Sequence, residues 1–226
     1  MKASKFPVMI YGLLLFILGA QSCAPSRIIK PLEKGEQSLS ANLGGPLIKF
    51  GSAPIPIPLT SVMYARGLDN KTTAFGSLHT TSLLFGVIQT DIGICREIYT
   101  SEKLQLGLSV NPVLNFAFDT WEANAKLWPE LDLNIHKDLF SKKGFVYLGA
   151  ANWFEFSSTR AHGETQKTHW LINPHIGFNW APKKWAYNIE AKYLAPGKNN
   201  QPNVVDYIGI QGKGALGVYF SIAKKF

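Results

Sequence analysis

The residues able to do chemistry in this 226-residue sequence fall into three sets. The first is a ladder of charged groups at alternating positions: Asp91, Lys126, Glu130, Asp132, His136, Glu190 and Lys192. Gln89, Glu97, Asn111, Asn115, Asn124, Asn134 and Asn179 stand in the same phase. Enclosed together, such groups must pair with one another or hold water, because an unpaired buried charge is costly. They then make either a charge-paired filling that stiffens the fold or a polar cavity, a narrow pore for a small solute. The second set lies in the segment 157–164, where His162 and Glu164 stand two apart, with Arg160, Asp119, His169 and Asp206 in neighbouring segments. A histidine works as a base when a carboxylate orients it, so His162 and Glu164 are the catalytic candidates. The same loop reads equally well as plain polar surface. The third set is the two cysteines. Cys95 sits in the middle of an alternating segment and is expected to be a buried, inert thiol; Cys23 follows a long apolar stretch.

Other chemistries find no support. The five histidines show no ligand spacing within any segment, so no metal is expected, and His79 and His175 read as packed or hydrogen-bonded. Gly209, Gly212, Gly214 and Gly217 do not form a phosphate-binding loop; beside the last alternating segment they relieve crowding. No cofactor is implied. The net charge of +8 raises nucleic acid as a partner, but eight of the 23 basic residues (Lys71, Lys103, Lys142, Lys143, Lys183, Lys184, Lys224 and Lys225) sit in short turns or at the C-terminus. No basic stripe carries interleaved stacking aromatics, so nucleic acid is not the expected partner.

The N-terminus reads as an address. Lys2 and Lys5 precede a thirteen-residue apolar stretch, Val8 to Ala20, which is too short to span a membrane and has the form of a secretory signal peptide. It ends Leu18-Gly-Ala-Gln-Ser-Cys23, which resembles the lipobox of bacterial lipoproteins. That resemblance implies cleavage after residue 22 and lipid attachment at Cys23. Ala20 and Gln21 depart from the commonest pattern, so ordinary cleavage near Ser22 stays open. Residues 23–36 hold two prolines and five charges, the composition of an extended tether.

From residue 37 to 226 the dominant period is two. In 121–136, Ala123, Ala125, Leu127, Pro129, Leu131, Leu133 and Ile135 share a face with Trp121. Glu130, Asp132, Asn134 and His136 lie opposite, with Trp128 the one exception. Like alternation marks 37–45, 58–68, 72–83, 87–98, 104–118, 145–157, 168–180, 185–194 and 214–226. Ten such segments predict an all-β fold: an up-and-down antiparallel transmembrane β-barrel of about ten strands. Four features favour it over a soluble sandwich. The strands are long. Tight turns near 69–70, 101–102, 141–144 and 182–184 alternate with longer connections at 46–57, 157–167 and 195–213. Aromatic residues fall into two girdles. The last segment, with Leu216, Val218, Phe220, Ile222 and Phe226 in phase, resembles the C-terminal signal read by the outer-membrane assembly machinery, although Lys224 departs from it.

Pro112, Pro129 and Pro174 fall mid-segment on the apolar side, where a missing N–H predicts bulges or a bend. The expected protein is a Gram-negative outer-membrane β-barrel lipoprotein. Its partners are outer-membrane lipids and, through the strand ending at Phe226, the assembly machinery. Its expected role is structural, adhesive or envelope-maintaining, with the 195–213 loop as partner surface. The alternatives are a narrow small-solute channel and a lipid-acting enzyme at the extracellular rim.

Overall fold

The computed structural model describes residues 26–159, 165–200 and 205–226. The chain forms β1 (Gln37–Phe50), β2 (Ala53–Pro56), β3 (Leu59–Asp69), β4 (Thr72–His79), a single helical turn α1 (Thr80–Leu84), then β5 (Val87–Ser101), β6 (Leu106–Asp119), β7 (Asn124–Leu139), β8 (Gly144–Phe154), β9 (Trp170–Trp180), β10 (Trp185–Asn199) and β11 (Lys213–Lys225). β2 folds back on the far half of β1 as a short hairpin, from Leu47 opposite Pro56 to Phe50 opposite Ala53. The other ten strands pair in chain order, and β1 closes the ring on β11 from Ser38 opposite Lys225 to Pro46 opposite Gly217. The result is a closed antiparallel ten-stranded barrel. Closure leaves none of these ten strands with a free edge, the condition for placing a sheet in hydrocarbon.

The polarity of this barrel is the reverse of a soluble protein's. The largest fully buried side chains include Glu190, Asn111, Asn173, Thr73, Asp91 and Asp132, while Leu133, Leu148, Ile176 and Ile189 stand outside, 46%, 56%, 59% and 45% exposed. Leucine and isoleucine turned out while acids and amides turn in is a surface made for lipid. Outward-facing charges Arg66, Arg96, Lys137 and Lys224 lie at the tight-turn end, where lipid headgroups would meet them. Aromatic side chains band both edges: Trp180 stacks on Tyr187 at the tight-turn end, and Phe154 on Trp170 at the other. Among the described residues no helix is long and apolar enough to cross a membrane; the strands do the crossing.

Three expectations need correction. Residues 80–83 are not strand: β4 stops at His79 and the chain turns through α1. Trp121 likewise precedes β7 and lies in the 120–123 turn, its indole N–H donating to the Phe85 carbonyl. The prolines cause no bulge. β6 and β7 keep one register from Leu106 opposite Lys137 to Asp119 opposite Asn124, passing through both Pro112 and Pro129. Pro112 instead leaves a gap in the β5–β6 ladder, which resumes in the same register at Arg96 opposite Val110. Pro174 pairs with Ala150 of β8 and lies just past His175, where the β9–β10 ladder ends. The real register shifts fall at Gly67/Asp69, Glu97/Tyr99 and Leu194/Asn199, near strand ends where the twist is relieved at little cost.

Small residues make room inside. A Cβ at Gly149 would run into Asn134 Oδ1 and the His175 ring. Overpacking of this kind typically costs about 1–3 kcal/mol. Gly149→Val is therefore expected to lower the yield of folded barrel, read as the fraction that migrates fast on a gel before boiling.

Candidate functional site in the barrel lumen

The lumen is not a bare polar tube. The segment Ser26–Glu36 enters at the tight-turn end and runs up inside the barrel. Its outer part is tied to the rim, where the Gly35 amide donates to the Gly67 carbonyl and the Gly67 amide to the Glu36 carbonyl. Deeper in, the Leu32 amide donates to Thr73 Oγ1, Ser109 Oγ donates to the Ile29 carbonyl, and Asn111 Nδ2 to the Ile28 carbonyl. The segment thus bonds to wall side chains rather than joining the sheet. This corrects the expected tether over residues 26–32, which lie inside the barrel with Ser26, Arg27, Ile29 and Leu32 buried.

Its apolar side chains explain an apolar patch on the inner wall. Leu32 and Ile28 pack on Met63, Ala65, Phe75, Cys95 and Val113. Cys95 has no exposure and belongs to this seat. Above it, toward the long-loop end, Trp128 and Trp153 approach to 6.2 Å between ring centres and pack with Ala117 and Ala151. Trp128, the one exception in its alternating segment, keeps the phase and points inward, where it is buried against a partner from β8.

Between these two layers lies the charged core. Arg27 reaches from the segment to the wall, with Nη1 2.8 Å from Asp91 Oδ1 and Nη2 3.3 Å from Glu130 Oε2; Nη2 also donates to Asn115 Oδ1 at 3.1 Å. The wall orients both carboxylates on its own account: His79 Nε2 donates to Asp91 Oδ2 at 2.8 Å, and Asn115 Nδ2 to Glu130 Oε2 at 3.2 Å. A second cluster joins Glu190 to Lys192 at 3.1 Å, with Tyr147 and Ser26 donating to its carboxylate at 2.8 and 3.2 Å. In a third, Asp132 accepts from Asn111 and Asn134 and lies 3.7 Å from His175 Nε2. Nearer the tight turns, His136 stands 3.5 Å from Glu97, and Lys30 of the segment pairs with Asp138 at 2.7 Å.

Of the seven charged residues singled out from the sequence, six thus lie in the lumen interior. Lys126 lies higher, at the mouth, paired with Glu155 and over the Trp128 ring. Sequence reasoning missed Arg27, which links two acids from different strands. Its signal was present: an arginine followed by Ile28 and Ile29 is unusual in a solvated tether. Cys23, His162, Glu164 and Arg160 lie outside the described residues. The other rim candidates do not assemble. Asp206 pairs with Lys49 at 3.1 Å, Asp119 accepts the Trp121 amide, and the His169 ring bonds the Glu155 carbonyl. Among the described residues no group of histidine, cysteine and carboxylates has the geometry to hold a metal.

A closed ring of ten antiparallel strands, apolar outside and polar within, tight-turned at one end, defines an integral β-barrel of the outer-membrane class. No family model and no curated protein matches the chain. Among solved structures it is similar to the translocator domain of the autotransporter NalP from Neisseria meningitidis, at 10% identity over 97% of this chain and 96% of that one, with a TM-score of 0.46. It is also similar to an outer membrane channel from Pseudomonas putida F1, at 7% identity over 90% and 100% with a TM-score of 0.47. A third is the outer membrane protein Ail of Yersinia pestis, at 10% identity over 85% and 100% with a TM-score of 0.37. The assignment to the class rests on the chain's own geometry.

Proposed function

We propose that this protein is an outer-membrane β-barrel lipoprotein with a closed lumen and a structural, adhesive or envelope-maintaining role. The observation that carries the reading is the seating of Arg27 on Asp91 and Glu130 in mid-lumen, beneath the Trp128–Trp153 layer. A barrel so filled presents surfaces rather than a passage. The long-loop end supports an adhesive use: the residues that follow β10 dock on the β1–β2 hairpin, where the Lys49 amide donates to the Asp206 carbonyl and the Ile208 amide to the Leu47 carbonyl. Phe50 and Ile210 remain exposed on that shared surface. Assembly through the strand ending at Phe226 suits β11's place, since it pairs with β10 on one side and closes on β1 at the other.

Acylation at Cys23 is part of this proposal, and it must be reconciled with the buried Ser26. Three residues reach at most about 10 Å. A cavity of about 440 Å³ beside the segment, lined by Ser26, Lys30, Asn188, Lys143 and Lys225, extends to the tight-turn end, and an acylated Cys23 requires Ser26 to leave Glu190 and withdraw along it. Labelling with radioactive palmitate is expected to mark the wild type and not Cys23→Ala; equal labelling removes the anchor from the proposal. For the closed lumen, single-channel recording of the full chain in planar bilayers is expected to show no current. A steady wild-type current would favour the narrow solute channel instead.

A further inference from the structure

We infer that Arg27 occupies, in cis, a guanidinium-binding site built into the barrel wall. A small alkylguanidinium cation such as free arginine or ethylguanidinium would take the site when Arg27 is absent. The inference rests on the seated segment described above and not on the envelope role.

The site belongs to the wall. Its groups come from four neighbouring strands: His79 from β4, Asp91 from β5, Asn115 from β6 and Glu130 from β7. Strand register holds them together, since Asp91 lies opposite Asn115 across one ladder and Val113 opposite Glu130 across the next. All four are buried. Asp91 has one oxygen held by His79 and turns the other to the guanidinium, while Glu130 Oε2 accepts from both Asn115 and Arg27. Glu130 Oε1 is buried without a hydrogen-bond partner among the described residues. Two acids and an amide oxygen lie around the guanidinium, with Nη2 donating to Asn115 and Glu130 and Nη1 2.8 Å from Asp91; a guanidinium presents N–H donors in a fixed fork where an ammonium presents a point charge.

The occupant is held as a ligand would be. Residues 26–32 form no strand ladder with the wall, and their backbone is bound by side chains of Thr73, Ser109 and Asn111. Removing Arg27 deletes one partner of a buried ion cluster and leaves its two acids uncompensated, a large penalty that any fitting cation relieves. The lumen would then hold Asp91, Glu97, Glu130, Asp132, Asp138 and Glu190 against Lys192 and Lys30, so the barrel would prefer cations.

The test uses the full chain with Arg27→Ala, refolded in detergent and in planar bilayers, and compares ethylguanidinium with ethylammonium at equal millimolar concentration. Ethylguanidinium is expected to raise the thermal midpoint lowered by the substitution and to block any cation current at a concentration at least tenfold below that of ethylammonium. Neither effect is expected in the triple variant Arg27→Ala, Asp91→Asn, Glu130→Gln. Should Arg27→Ala fail to refold unaided, the readout becomes refolding yield with each cation, again with ethylguanidinium favoured. Equal responses to the two cations, or rescue that persists in the triple variant, would overturn the site. A wild-type barrel that conducts overturns the closed lumen instead and leaves the cation comparison standing, so the two failures are distinguishable.

Discussion

The Arg27→Met barrel, unfolded by urea from lipid vesicles, is expected to lose about 3–5 kcal/mol of stability, the usual cost of removing one partner from a buried ion pair. Methionine keeps most of the volume, so the loss reports charge and not a cavity. What it leaves behind is Asp91 and Glu130, both enclosed, with only the hydrogen bonds of His79 and Asn115 to set against two buried carboxylates. Adding Asp91→Asn and Glu130→Gln to the same chain is expected to recover most of the loss, because the desolvation cost of the acids leaves with their charge. The recovery separates an electrostatic role from mere packing. A single-variant loss below about 1 kcal/mol, the worth of an exposed surface pair, would mean that Arg27 is not seated in the lumen.

The second large effect is on the opposite face of the wall. Leu133 lies midway along β7, points outward between Leu131 and Ile135, and pairs across with Val110 and Ala150. Leu133→Arg is expected to cost about 2–4 kcal/mol in a bilayer, as a cation placed near its midplane does. Val146→Arg, two residues from the tight-turn end of β8, is expected to cost only about 0–1 kcal/mol because the side chain reaches the headgroups. The gradient between the two positions is the readout. A soluble barrel would tolerate arginine equally at both, since water would already bathe them, and equal small costs would remove the membrane from the account.

Legibility in the sequence followed the range of the interaction. Asp132 and Leu133 are neighbours on opposite sides of a pleat, and one alternation announces both the lumen and the lipid face. The tight turns are legible for the same reason: Lys142 and Lys143 occupy a few local residues between two long strands. The prolines show where such reading stops. A missing N–H at Pro112 predicts a local fault, but whether the ladder shifts or skips depends on the neighbouring strand, and here it skips. Trp128 breaks the polar row by type, and its companion Trp153 comes from the next strand, β8. Arg27 is the extreme case. Its segment has the composition of a solvated linker, and nothing within it shows that Asp91 and Glu130, 64 and 103 residues further on, converge to receive it.

The chain alone determined ten alternating strands, their two faces and the side of the tight turns, because each depends on a repeat of two residues and on turns a few residues long. It did not determine the ends of β4 and β7 or the β2 hairpin. Tertiary structure decided which inward groups meet, since that depends on the register of ten strands and on closing β11 against β1. It also decided that residues 26–32 lie within the ring, because a lumen able to hold them exists only once the ring is closed.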